Sequence, residues 1–332
     1  MAPLATAYGG PPKLTLTTAL TQWRLDVPML VLIVALGAWY LWSARQVSRR
    51  PGRDGGRWGS GRTFAFVVLG LGFLLIATMA WPGAYESVLF YARATQTVLL
   101  VLVVPLFLAM GKPLTLLGEA QPQIGRRVER LVRGRAAKVV TFPAITTLLL
   151  VAVPMTMYFT SWYTAVFASG TVRELTYLIL TVPGYVFFWT LLRVDPVPKE
   201  YPYGVAMWIT AAEVIGDAFF GIAVIADQTL IGAAHYHAVG YPYGPSLATA
   251  QVIGGGVIWI LGDFVGLPFL AVQLIQMMRA DKREAAEIDA ALDARDSARA
   301  ASPVPASSVL GTPETDEPAA AERPWWESDS RI

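Results

Sequence analysis

The chain has 332 residues, of which 55% are apolar and only 15% charged, and its mean hydropathy is +0.48. This composition excludes an ordinary soluble domain, in which about a quarter of the residues are charged. Cysteine is absent, which excludes disulfides, thiolate metal ligands and thiol redox chemistry. The net charge of +2 carries little information, because the charges are concentrated in a few loops and near the C-terminus.

Seven apolar segments each have the length of a membrane-spanning helix. A hydrocarbon layer of about 30 Å requires about 20 helical residues, and the segments lack the alternation of a transmembrane β-strand. They lie at 27–44, 64–81, 88–109, 139–158, 174–192, 205–226 and 251–275. The sequence therefore predicts an all-α membrane protein with seven transmembrane helices and membrane lipid around it.

Lysine and arginine are concentrated in alternate loops. They occur at 45–62, 112–138, 193–199 and 279–283. The intervening loops 82–87 and 227–246 contain none. Because basic loops stay in the cytoplasm, this pattern predicts an N-terminus outside and a C-terminus in the cytoplasm.

The composition divides the chain into four predicted parts. An extracytoplasmic segment, 1–26, precedes a membrane domain, 27–278. Residues 279–300 are rich in Ala and in charges of both signs, which predicts a solvated cytoplasmic helix. The tail 301–332 is rich in Pro, Ser, Ala and Glu, a composition typical of disorder.

Four charged residues fall within the predicted spans. Arg93 lies in helix three, Glu213 and Asp217 in helix six, and Asp263 in helix seven. Charges at membrane depth are costly and usually functional. We predict an Arg93–Asp217 ion pair inside the bundle. The alternatives are that Arg93 reaches the outer headgroups and that Asp217 is simply protonated.

The other polar residues in the spans allow two interpretations. Glu213 and Asp263 are candidates for a proton or ion path, or for acids with a purely structural role. Gln96 and Gln251 are candidates for the same polar core, or for hydrogen bonds that join neighbouring helices.

A glycine run in helix seven predicts close helix packing. Gly254, Gly255 and Gly256 are followed by Trp259. Glycine lets two backbones approach closely, so we expect helix three or helix six to pack against this run.

Candidate metal ligands lie at the predicted outer face. His235 and His237 are in the loop before helix seven, and Met155 and Met157 are at the end of helix four. Imidazole and thioether groups suit copper, which makes these four residues a candidate copper site. The alternative for the methionines is packing. No nucleophile–base pair or cofactor fingerprint is visible, and topology explains the basic loops, so we predict neither an enzyme nor a nucleic-acid-binding protein.

Five segments resemble the CtaG-like cytochrome c oxidase assembly factors of bacteria, particularly the actinobacterial type. They are VVPLFLAMGKPLTLL (103–117), GYVFFWTLLRVDPVP (184–198), DAFFGIAV (217–224), QVIGGGVIWILGD (251–263) and RADKREAAEIDAALDAR (279–295). The resemblance covers roughly residues 60–300. It implies a multi-pass protein of the bacterial plasma membrane. It also implies help in building a heme-copper oxidase of the respiratory chain, by copper delivery, with oxidase subunits or other assembly factors as partners.

This chain departs from the family pattern at positions where the resemblance implies buried histidines. The His-x-x-Gln-His pattern of helix three keeps Gln96, but Arg93 and Thr97 replace its histidines. A helix-five histidine corresponds to Tyr177, and the histidine before the Phe-Phe-Gly segment to Asp217. We therefore hypothesise a family scaffold in which an Arg93–Asp217 pair replaces a buried metal site.

Two other functions remain open from the sequence. One is a copper transporter or copper-resistance permease, which requires metal ligands across the whole bilayer. The other is a proton-coupled carrier that uses Glu213, Asp217 and Asp263.

Overall fold

The structure is a computed structural model that describes residues 8–49, 58–193, 195–198 and 201–301. These residues form helices and no strand. The helices are α1 (Leu16–Thr21), α2 (Val27–Ser48), α3 (Ser60–Thr63), α4 (Leu71–Met79), α5 (Trp81–Tyr85), α6 (Phe90–Val98), α7 (Val104–Met110), α8 (Pro113–Ala120), α9 (Pro122–Val132), α10 (Arg135–Val140), α11 (Pro143–Tyr158), α12 (Trp162–Ala168), α13 (Gly170–Leu192), α14 (Tyr203–Ala226), α15 (Ala233–Val239) and α16 (Leu247–Ala301). A π-helical turn over Phe64–Gly70 joins α3 to α4, and another over Leu99–Val103 joins α6 to α7.

The predicted fold class is confirmed. In the described part of the chain, six helices are long and apolar enough to cross a membrane. The predicted fourth span is a bent pair instead of one rod, because α11 and α12 meet at 67° across a short break. At that break the Trp162 backbone N–H donates to the Thr160 hydroxyl at 3.3 Å, which turns the chain. Counted as one span, the pair brings the total to seven.

The last helix is much longer than a membrane span. It extends from Leu247 to Ala301, and the chain divides into two compact units after Met278. The side chains of 283–298 are exposed, as expected for a segment of alternating charge. Except for Ala301, the predicted tail 301–332 lies outside the described residues.

A close backbone contact holds α13 against the third span. Pro105 has no N–H to offer the carbonyl of Val101, and the π-helical turn lies at this point. Gly184 of α13 packs on that carbonyl so tightly that a Cβ at this position would collide with it and press on the Pro105 ring. The absence of a side chain at Gly184 therefore fixes how deeply α13 inserts.

One carboxylate joins two of the segments that resemble the family. Asp195, which follows α13, accepts hydrogen bonds from the backbone N–H groups of Leu114 at 3.1 Å and Thr115 at 2.9 Å. These donors belong to the first turn of α8, where the helix has no partners of its own for them. Asp195 thus caps α8 from a distant part of the chain.

Candidate functional site

The most polar buried site is centred on Glu86, in the short link between α5 and α6. Its side chain is only 1% exposed. It is the one charged residue in the sequence of this link. Arg93 donates to Glu86 Oε2 at 2.8 Å, and Arg24 donates to Oε1 at 2.7 Å. The Tyr177 hydroxyl donates to the same carboxylate, at 2.9 Å from Oε1. Both carboxylate oxygens therefore have charged and neutral donors.

Arg93 is completely buried and has contacts beyond Glu86. Its guanidinium donates to Gln96 Oε1 at 2.7 Å and to Met157 Sδ at 3.3 Å. Gln96 in turn donates to the Ala77 carbonyl at 2.9 Å. We call Arg24, Glu86, Arg93, Gln96 and Tyr177 the ionic cluster. It joins the segment before α2, the α5–α6 link, α6 and α13.

The ionic cluster has more positive than negative charge. Arg173 adds a third guanidinium, which lies 3.9 Å from Glu86 and 3.9 Å from Asp26. Asp26 also caps α2, because it accepts from the Met29 N–H. Burial alone would raise the pKa of Glu86, but Arg93 and Arg24 outweigh burial and hold that pKa below its usual range. Glu86 is therefore an anion at neutral pH, and it offsets part of the positive charge of the guanidinium groups around it.

This pKa predicts a pH dependence of stability. A carboxyl whose pKa is lower in the folded than in the unfolded chain stabilises the fold above the unfolded value, about 4.3. That contribution is lost as the pH falls through the folded value. We expect the melting temperature in detergent to decrease below about pH 4.3. In Glu86→Gln, we expect a lower melting temperature at neutral pH and a flatter decline in acid. An equal decrease of the melting temperature in acid for both proteins would contradict a lowered pKa of Glu86.

The predicted Arg93–Asp217 pair is wrong. Arg93 pairs with Glu86, seven residues earlier in the chain, in the non-helical link that precedes α6. Asp217 instead lies with Glu213, against Gly262 of α16. Glu86 was missed because a loop carboxylate is normally solvated. The signal was present in the sequence, since Glu86 is the sole acid in the 82–87 link and lies only seven residues before Arg93.

The four candidate copper ligands lie in different surroundings. Met157 is fully buried, and its sulfur accepts from Arg93. His235 stacks on Phe167 with ring centres 4.1 Å apart, and its Nε2 is 2.8 Å from the Ser87 carbonyl oxygen. His237 is exposed, and Met155 packs at the edge of the hydrophobic core.

Metal ions do not fit the ionic cluster. A guanidinium has no lone pair to donate, and its charge repels a cation. Of the positions where the family resemblance implies imidazoles, Arg93 and Tyr177 both contact Gln96, and the Thr97 hydroxyl donates to the Arg93 carbonyl. The fourth position, Asp217, lies against Gly262 of α16 instead. Within the described ranges, no group of three His, Asp or Glu side chains could hold a metal ion. The buried centre is therefore held together by ions of the protein itself.

The remaining polar and glycine candidates lie on the first turns of α16. Gln251 accepts from the Ile231 N–H at 2.8 Å and donates to two carbonyls at the end of α14. Gly254 faces Phe90 of α6, and Gly255 faces the Gly221 carbonyl of α14. Gly256 has open space beside it. Trp259 has its backbone against Gly221, and its ring is 39% exposed.

Comparisons with known proteins agree with the resemblance. The family described as cytochrome c oxidase caa3 assembly factor matches residues 38–280. An uncharacterized protein of Mycobacterium bovis and one of Mycobacterium tuberculosis are each 28% identical over 290 residues, which is 85% of this chain and 43% of theirs. An uncharacterized protein of Mycobacterium leprae is 26% identical over 81% of this chain and 41% of its own.

The chain thus spans less than half the length of these curated relatives. No solved structure matches it. The family match covers most of the spanning helices and the α5–α6 link. It includes Glu86, at the centre of the ionic cluster, and Asp195, which caps α8. The chain belongs to the cytochrome c oxidase caa3 assembly factor family.

Proposed function

We propose that this chain is an integral plasma-membrane factor for the assembly of a heme-copper cytochrome c oxidase, and that it acts as a scaffold whose buried centre needs no metal. The observation that carries the second part is the fully buried Arg93 paired with Glu86. Family membership supports the first part.

The ionic cluster would organise a binding surface for an oxidase subunit or another assembly factor. It fixes Glu86, and the next residue, Ser87, contacts His235 of α15. Tyr236 of the same helix bonds Tyr163 of α12 at 2.7 Å between hydroxyls. By the positive-inside rule, this face is extracytoplasmic. A surface ordered in advance by buried contacts binds a partner at a lower entropic cost.

Copper delivery is a more specific alternative to the scaffold role, and it too would be a function in oxidase assembly. The donors left for copper are His237, the Nδ1 of His235 and the sulfur of Met155, all outside the ionic cluster. A scaffold role needs none of them. A delivery role needs at least two of them together, because copper(I) takes two or more soft ligands.

The test combines partner capture with metal analysis of the same preparation. The full chain is captured from native membranes, and co-purifying oxidase subunits and copper per chain are quantified. We expect oxidase subunits to be retained and copper to be far below one per chain, with copper unchanged in the His235→Ala/His237→Ala variant.

Three outcomes would contradict parts of this proposal. Stoichiometric copper that is lost with both histidines would identify an outer delivery site. Copper that survives their loss would contradict the metal-free centre. Copper uptake by vesicles that contain only this protein would favour the permease alternative over assembly.

A further inference from the structure

Two carboxyl groups at membrane depth play no part in the ionic cluster. Glu213 is 1% exposed and Asp217 is 7% exposed, and they follow each other by one turn on α14. Residues four apart share one face of a helix, and both carboxyl groups face the same stretch of α16. In the described part of the chain, no Lys, Arg or His side chain lies within 4.0 Å of either one. We call Glu213 and Asp217 the carboxyl pair.

The facing helix makes room for the carboxyl pair. A Cβ at Gly266 of α16 would lie 3.1 Å from Glu213 Oε2, and a Cβ at Gly262 would collide with Asp217 Oδ2. Glycines spaced by four residues on α16 thus face acids spaced by four residues on α14. The two carboxyl groups occupy the space that two missing side chains leave.

The carboxyl pair cannot hold two negative charges without a counter-ion. Each bare carboxylate in an apolar interior costs several kcal/mol, and two adjacent ones also repel. Among the described residues, Asp263 of α16 is a further ionisable side chain near the pair, and it too is acidic. The helix α11 packs on α14 through Val151 at Gly216 and has no charged residue. A proton between the two groups satisfies both, as in other close carboxyl dyads.

The acids between α14 and α16 are also incompletely satisfied. Glu213 Oε1 and Asp263 Oδ1 are buried without a hydrogen-bond partner. In a polar site, unused acceptors of this kind accommodate a further donor, which can be a water molecule or a hydrated proton. An acid with a purely structural role would have its oxygens paired inside the protein.

The two ends of the α14–α16 interface differ. On the side of α15, the backbones touch, because a Cβ at Gly221 would lie 2.7 Å from the Gly255 carbonyl. Beyond that contact the Gln251 Nε2 group donates to two carbonyls and the Gln251 Oε1 accepts from a backbone N–H. On the opposite side Thr210 bonds Gln273 Oε1 at 3.1 Å, while the buried Gln273 Nε2 has no partner. Among the residues that the structure describes, buried polar groups without a partner thus continue beyond the carboxyl pair toward Gln273 and not toward Gln251.

We propose that Glu213 and Asp217 bind one exchangeable proton, and that this proton enters and leaves by the Thr210–Gln273 end of the interface. By the charge rule for loops, that end faces the cytoplasm. The proposal goes beyond the assembly role and does not depend on it.

Infrared spectroscopy of the full chain in lipid tests the proton directly. A carboxylic acid C=O band is separate from the carboxylate bands and shifts on exchange into D₂O. We expect an acid band that shrinks as the pH rises, at a midpoint independent of Na⁺ concentration. It should be absent from Glu213→Gln/Asp217→Asn. A band that neither titrates nor exchanges would mean a locked structural acid, and a Na⁺-dependent midpoint would mean a cation site.

Matched variants at the two ends test the route. We expect Gln273→Leu to slow the D₂O shift of the acid band by about tenfold or more, whereas Gln251→Leu should leave its rate unchanged. Slowing by Gln251→Leu alone would place the entrance at the other end and overturn the route.

Labelling of the unmodified chain keeps the proposal falsifiable if the variants do not fold. Dicyclohexylcarbodiimide reacts with protonated carboxyl groups in apolar surroundings. Mass spectrometry should find the adduct on Glu213 or Asp217, with at least tenfold less labelling at alkaline than at mildly acidic pH. Equal labelling at both pH values, or none on either residue, would contradict an exchangeable proton.

Discussion

Replacing Glu86 by Ala is expected to lower the free energy of unfolding by about 3–5 kcal/mol, because it leaves the buried Arg93 guanidinium without a counter-charge. Arg93→Ala should cost a similar amount for the converse reason. The double variant should lose less than the sum of the two losses, since the second substitution removes the charge that the first one exposed. The measurement is denaturant unfolding of the purified protein in one detergent.

A matched control comes from a second Arg–Glu pair in the same chain. Arg133 and Glu129 are 2.7 Å apart, close to the 2.8 Å of Arg93 and Glu86, but their side chains are 75% and 50% exposed. Water solvates both charges, so Glu129→Ala should cost less than about 1 kcal/mol. If Glu86→Ala were no more harmful than Glu129→Ala, the ionic cluster would not be holding the four elements together.

Gly184→Ala is expected to destabilise the bundle by about 1–3 kcal/mol or more, because the new methyl group meets the Val101 carbonyl and the Pro105 ring. Backbone and proline atoms cannot turn aside as a flexible side chain can. We therefore expect α13 to shift away from the third span and weaken the bond between Tyr177 and Glu86. Thermal unfolding in detergent measures the loss.

Gly72 offers the control for this substitution. It also lies in an apolar spanning helix, but no atom is within 4 Å of the position that its Cβ would take. Gly72→Ala should be neutral or stabilising by up to about 1 kcal/mol, because Ala favours the helix over Gly. Equal effects of the two substitutions would show that helix propensity, and not the contact of Gly184, governs the result.

Arg93 illustrates how far sequence reasoning reached in the candidate site. Its depth in a span predicted an ion pair, and the structure contains one, but with Glu86 and not with Asp217. Helical spacing shows which residues of one helix lie close together. Which residues of two helices meet depends on how the side chains between the helices pack. Arg24 and Tyr177, which are 153 residues apart and in contact at 2.9 Å, could not be paired by any local pattern.

The chain of amino acids by itself determined the helical membrane class. The apolar segments of spanning length, the charged residues at 93, 213, 217 and 263 within them, and the family also follow from it, because length, hydropathy and motif order are properties of the linear sequence. Only the tertiary structure decided which charge faces which. It turned a loop carboxylate, Glu86, inward among three arginines and left the α14 acids facing glycines. The physical reason is that the desolvation and pairing of a charge depend on every neighbour in space, and most of these neighbours are remote in the sequence.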